Sequence, residues 1–289
     1  MSGVAVALVL AGSLAHAAWN VLVKRAPSGG PVFVWVYSLV SVVLLAPFAV
    51  LAARGEGLDP TVLGASAVSA VLHMAYALTL QWAYSRSDMN VTYPVARGTG
   101  PLLVVLFAVV ALHQRLTWLA VAGIAAVLVG VGLASVGGPS RPGERGQGSG
   151  ALHGVLVGAT IAGYTLWDDH AINVLRADAV TYYVGTAVLQ ALMLTVVCWR
   201  RRREAVTVAR AGWRTAVAVA VLVPTSYLLV LVAMHDSPIA LVAVLRCTSI
   251  VFGSLAAWLL LGERAGARRL SAAVVVLVGV GALVAPGVG

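Results

Sequence analysis

The sequence predicts an all-α integral membrane protein whose ten transmembrane helices form two inverted five-helix repeats. Three observations predict it. Of the 289 residues, 61% are hydrophobic and only 10% charged, with a mean hydropathy of +0.96, whereas soluble domains carry about 25% charged residues. The apolar residues fall into ten stretches, each long enough to cross about 30 Å of hydrocarbon at about 1.5 Å rise per residue. The second five stretches also repeat a register of the first. So little polar surface cannot coat a water-soluble globule, which weighs against an aqueous enzyme.

The ten stretches are 3–23, 32–53, 61–84, 89–112, 117–136, 151–171, 180–199, 213–234, 238–261 and 270–286. Each must be a helix, because a single segment in lipid has to satisfy its own backbone hydrogen bonds. The first has no basic region before it and runs on to Lys24 and Arg25, so it reads as a retained span, not a cleaved leader. Between the fifth and sixth lies GGPSRPGERGQGSG at 137–150, a flexible linker by composition. It separates a first repeat at 1–136 from a second at 151–289.

Residues 97–132 lie over 246–281 at a constant offset of 149, without a gap. Arg97 meets Arg246, Thr99 meets Thr248, Leu112 meets Leu261 and Arg115 meets Arg264. Leu128-Val-Gly-Val-Gly132 recurs unchanged as Leu277 to Gly281. Five spans is an odd number, so the second copy enters the membrane from the opposite face. Inverted repeats are a common basis of alternating access, with the substrate site at their interface.

The formal net charge is +9, and its placement excludes nucleic acid as the partner. Loops after the odd-numbered spans hold fourteen Lys and Arg, those after the even-numbered spans three. Short basic loops face the cytoplasm and its anionic leaflet, which places both termini outside. Cys198 and Cys247 are far apart and inside spans, and no CxxC, HExxH or P-loop is present. No metal and no cofactor is therefore expected.

Three motifs carry a resemblance. The first span contains His16-Ala-Ala-Trp19-Asn20, the fourth Tyr93-Pro-Val-Ala-Arg-Gly98, and the ninth ends Trp258-Leu-Leu-Leu-Gly-Glu-Arg264. Over essentially the whole chain this resembles the drug/metabolite transporter superfamily, specifically its EamA group with a duplicated five-helix unit. One departure is His113-Gln-Arg115, where the first repeat of the group reads Gly-Glu-Arg. The resemblance implies transport, often export, of small metabolites and no enzymatic activity. It also implies cytoplasmic termini, against the loop charges, which we weight more heavily because the termini themselves are uncharged.

Arg97 and Arg246 each sit about 12 Å into a span. A cation at that depth costs at least roughly 2.5–3.5 kcal/mol, so it faces a partner or a wet cavity unless it snorkels to the interface. Span order places Asn20 level with Arg97 and Asp168 level with Arg246. Trp19-Asn20 and Trp167-Asp168 are themselves offset by 148, close to the repeat. The expected site is thus an Asn20/Arg97 cluster and an Asp168/Arg246 cluster around one cavity, walled by Trp19, Tyr76, Tyr93, Tyr164, Trp167 and Tyr227. Guanidinium forks suit a carboxylate or phosphate, so the expected substrate is a small molecule with an anionic group. Asp168, Asp169 and His16 are the candidate proton carriers. Trp35, Trp118 and Trp213 read as interfacial belt residues. Pro94, Gly98, Gly100 and Pro101 predict a kinked or open fourth span, and Pro47 and Pro224 bends in the second and eighth.

The function that follows is a secondary transporter, an exporter of an amino acid or organic anion, in the cell inner (plasma) membrane. The alternative is a flippase for a lipid-linked phosphate or sugar head group, with the same arginines on its phosphate.

Overall fold

Backbone polar groups in an apolar stretch have no water to turn to, and helices result throughout. The computed structural model describes residues 1–24, 30–55, 59–87, 89–135, 147–235, 237–261 and 267–285. They form α1 (Gly3–Lys24), α2 (Pro31–Gly55), α3 (Pro60–Arg86), α4 (Met89–Val110), α5 (Trp118–Ser135), α6 (Gln147–Asn173), α7 (Ala179–Cys198), α8 (Arg202–Met234), α9 (Ile239–Leu245), α10 (Thr248–Leu261) and α11 (Ala267–Val284). A 3₁₀ turn, Trp199–Arg201, joins α7 to α8. Segments Gly3–Val23, Pro31–Phe48, Pro60–Arg86 and Ala179–Met234 are long and apolar enough to cross a membrane. Shorter apolar helices occupy Val95–Val110, Trp118–Leu133, Ile239–Gly253 and Ser271–Leu283.

Helix starts follow local chemistry. The Asp59 carboxylate accepts the Thr61 N–H at 2.8 Å ahead of α3, and Asp178 accepts that of Thr181 at 2.9 Å ahead of α7, each cap stabilising by about 1 kcal/mol. The predicted linker is shorter than expected at its end, since α6 begins at Gln147. Residues 136–146 lie outside the described residues, as do Gly262, Glu263 and Arg264 of the ninth-span motif. Helix α8 combines two helical stretches that meet at a kink at Gly212 (φ −129°, ψ 26°), so the second begins at the expected 213; the backbone stays helical at Pro224.

The ninth stretch is not one helix. It breaks at Arg246 and Cys247 into α9 and α10, with 3₁₀-type bonds from Cys247 N–H to the Val244 carbonyl and from Ser249 N–H to that of Arg246. Carbonyls released from the helix ladder must find donors. Thr248 Oγ1 donates to the Leu245 carbonyl at 2.8 Å, Cys247 Sγ to that of Ala243 at 3.6 Å, and Ser13 Oγ, from α1, to that of Arg246 at 3.4 Å. The fourth span is not opened at its prolines: α4 runs as one helix from Met89 to Val110. The opening lies in its counterpart instead.

Packing between the halves is reciprocal. Helix α1 lies against α8 and α10, and α6 lies against α3 and α4; α2 touches α7, and α5 touches α11. The α5–α11 seam carries the offset of 149 down to single atoms. A Cβ on Gly130 would meet Val276 Cγ2 at 2.6 Å and the Ala272 carbonyl at 3.0 Å. A Cβ on Gly279 would meet Val127 Cγ2 and the Gly123 carbonyl, both at 2.8 Å. Only glycine allows this approach.

The surface is apolar while the interior holds polar groups. Val43 is 70% exposed, Val196 80% and Leu78 61%, yet Asp168, Ser66, Ser69 and Thr92 are wholly buried. Trp118 and Trp213 are exposed as belt residues should be, but Trp35 is not. It is buried, and its indole N–H donates to Thr195 Oγ1 at 2.8 Å, tying α2 to α7. That correction has a simple reason: a donor near a span end serves a neighbouring helix as well as it serves the interface.

Candidate functional site

A cavity of about 510 Å³ lies between the halves, and both intramembrane arginines line it. Arg97 comes from the first half of α4, Arg246 from the break between α9 and α10. His16, Trp19 and Asn20 of α1, Tyr76 of α3, Tyr164 of α6 and Tyr227 of α8 line the same space. Six of the expected site residues besides the arginines therefore converge, four of them from the expected aromatic wall. Tyr93 lies outside the residues whose side chains are described.

On the α1 side the donors are left open. The His16 and Trp19 rings meet edge to face at 4.9 Å between centroids. His16 Nε2 and Trp19 Nε1 are buried and, among the described residues, without a hydrogen-bond partner. Leaving such an atom unpaired costs about 1–3 kcal/mol, so two of them on one wall leave hydrogen-bonding capacity facing the cavity. Asn20 is exposed and donates to the His16 carbonyl at 2.7 Å, within its own helix. Its place in the cavity is as expected, but its amide N–H serves the backbone of α1.

The Asp168 side is closed. This carboxylate is wholly buried, and hydroxyls from three other helices converge on it. Ser69 Oγ of α3 donates to Oδ1 at 2.8 Å, Tyr182 OH of α7 to Oδ1 at 2.6 Å, and Tyr227 OH to Oδ2. Hydrogen bonds to a charged group contribute about 1.5–3 kcal/mol each, which is what permits such burial. His73 Nε2 lies 3.0 Å from Tyr227 OH, its Nδ1 2.9 Å from the Ser69 carbonyl, and its ring stacks on Tyr164 at 4.2 Å. The Arg246 guanidinium sits 5.3 Å from the Tyr227 ring centroid, a cation–π contact. The expected Asp168/Arg246 cluster thus exists with Tyr227 as its bridge: hydroxyl to the carboxylate, ring face to the guanidinium.

Two expected residues stand elsewhere. Trp167 does not line the cavity; its N–H donates to the Ala65 carbonyl at 3.0 Å, because its position on α6 faces α3. Asp169 accepts from Asn173 Nδ2 at 2.8 Å and is also absent from the cavity wall. Conversely, Tyr37, Tyr84, Tyr183 and Gln190 line it without having been singled out. The Tyr182-Tyr183 pair beginning span 7 was the available signal. It was masked by the interfacial preference of tyrosine.

Apolar spans with exposed aliphatic surfaces around a buried polar chamber define a multi-pass membrane protein with an internal polar cavity. The chain belongs to the EamA-like transporter family, whose model matches it twice, at residues 3–136 and 148–285. This is a family of membrane transporters within the drug/metabolite transporter superfamily, not of enzymes, so a small-molecule substrate and a lipid bilayer are its partners. No curated protein matches the chain significantly. A solved crystal structure is similar over 98% of this chain and 97% of its own, with a TM-score of 0.75 and 15% sequence identity. At that identity the likeness speaks to the fold.

Proposed function

We propose that the chain is a secondary transporter that exports a small anionic metabolite across the inner (plasma) membrane by alternating access. Its ten spans, the ninth one interrupted, act as two inverted copies of a five-helix unit, 1–136 and 151–289, joined through 137–150. The observation that carries this reading is that Arg97 and Arg246, equivalent in the repeat, line one cavity between the halves. Two guanidiniums in low dielectric attract an anion strongly and orient its oxygens through paired donors.

His16 is the candidate proton carrier on the cavity wall, and Asp168 the one behind it, reached through Tyr227. The flippase alternative needs a lateral groove holding cations. An apolar groove of about 690 Å³ does open between α3 and α6, lined by Leu72, Leu78, Trp82 and Leu156 among others. Among the described residues it shares none with the arginine cavity. Arginines that line a cavity separate from this groove favour a soluble solute over a lipid-linked one.

In proteoliposomes, Arg97→Leu and Arg246→Leu should each lower uptake of an organic anion by roughly 100-fold while inserting normally, the loss of charge-assisted bonds contributing about 1.5–3 kcal/mol apiece. Undiminished transport by both variants overturns the proposal. Orientation follows the loop charges, with both termini outside. A C-terminal reporter active only in the cytoplasm should stay dark, and a strong signal would reverse the assignment.

A further inference from the structure

The cavity has a second compartment. A pocket of about 60 Å³ continues it, sharing Arg97, Arg246, His16 and Tyr227 with the larger space and adding Ser13, Thr165 and Ser249. A void of about 150 Å³ holds benzene and one of about 10–15 Å³ a single water. The small pocket therefore admits a carboxylate-sized head and excludes a ring. The larger space, at about 510 Å³, is of the size that encloses a small organic molecule. Its walls carry the rings of Trp19, Tyr37, Tyr76, Tyr84, Tyr164 and Tyr183. Flat faces of this kind stack on a flat solute.

Charge narrows the class further. Among the described residues neither compartment is lined by any Asp or Glu, while both are lined by two arginines. The nearest acid the network offers, Asp168, is wholly buried and takes its hydrogen bonds from Ser69, Tyr182 and Tyr227. The Tyr227 ring, which could have received an ammonium on its face, already carries the Arg246 guanidinium. The unpartnered indole N–H of Trp19 is a donor only and calls for an acceptor oxygen. An ammonium group would enter a net-positive space that, among the described residues, offers it no counter-charge, an unfavourable transfer.

We infer that the solute is an aromatic carboxylate without an ammonium group, held head-first with its carboxylate between Arg97 and Arg246 and its ring in the aromatic compartment. This rests on the cavity being the transport site. The test compares four solutes of one skeleton on the full chain in liposomes: 3-phenylpropanoate, phenylalanine, phenethylamine and propanoate. Binding is read by tryptophan fluorescence and transport by counterflow. 3-Phenylpropanoate should bind at least tenfold more tightly than phenylalanine or propanoate, and phenethylamine should not bind. Arg97→Leu should weaken 3-phenylpropanoate at least tenfold.

Phenylalanine binding as well as 3-phenylpropanoate overturns the exclusion of the ammonium. Propanoate binding equally well overturns the role of the ring. If aliphatic dicarboxylates or phosphate esters move and none of the four does, the inference fails and the transport reading stands. If no anion binds to correctly inserted protein, both fall.

Discussion

Trp19-Asn20 and Trp167-Asp168 occupy matching places in the two halves, yet one pair faces the cavity and the other is sealed behind it. Trp19 keeps an unpartnered N–H on the cavity wall, whereas the N–H of Trp167 is spent on Ala65 of α3. Asn20 bonds within α1; Asp168 draws hydroxyls from α3, α7 and α8. The substitution of a carboxylate for an amide explains much of the contrast. A neutral amide can remain partly solvated at the cavity edge, but a buried charge requires a full set of donors. One side of the chamber thereby keeps free polar atoms on its wall, and the other is held by a network that fixes Tyr227 beneath Arg246.

The contrast can be broken most directly at its two poles. Asp168→Ala strands the Tyr182 hydroxyl, leaves those of Ser69 and Tyr227 only His73 as a partner, and empties a buried site; unpaired buried groups cost about 1–3 kcal/mol each. We expect a loss on the order of 3–5 kcal/mol in the equivalent scale of thermal unfolding in detergent. Asn20→Ala should cost under about 1 kcal/mol. Equal shifts for the two would remove the asymmetry.

A second measurement asks whether the halves remain equivalent away from the site. Gly130→Val and Gly279→Val force a branched side chain against the partner backbone, which should cost about 1–3 kcal/mol each by overpacking. The two losses should agree within about 0.5 kcal/mol, in contrast to the pair above. A large difference would confine the symmetry to sequence.

The smallest effect concerns the break at Arg246. Thr248→Val removes the hydroxyl that caps the Leu245 carbonyl and should lower stability by about 1 kcal/mol. Thr99→Val, at the matching place in the unbroken α4, should leave stability nearly unchanged. Hydrogen exchange at the amides following each arginine would report the same difference locally.

That last pair shows where sequence reading reaches its end. Hydropathy located the helices, because the spans obey one local requirement that every segment satisfies alone. The site arginines were legible for a similar reason: a cation deep in an apolar stretch stands out wherever it points. Arg97-Gly98-Thr99 and Arg246-Cys247-Thr248 are close in pattern, yet the first continues a helix and the second interrupts one. The donor from Ser13 reaches the Arg246 carbonyl across 233 positions of chain, and no local window contains it. Trp35 and Trp167 were misplaced for the same cause, since the direction of a side chain around a helix axis depends on which helices surround it. The aromatic wall was partly legible and the Asp168 network only at its acid, because serine and tyrosine hydroxyls are unremarkable until a charge is seen between them.

The seam between α5 and α11 has a mechanical consequence. Where Gly130 and Gly279 bring the two backbones together, no long side chain can bend or change rotamer to absorb a displacement. Sliding one helix past the other by even a residue would drive valine methyls into peptide groups. Under the alternating access we propose, the halves would therefore leave this line in place and turn about it, as a door leaf turns on a fixed pin.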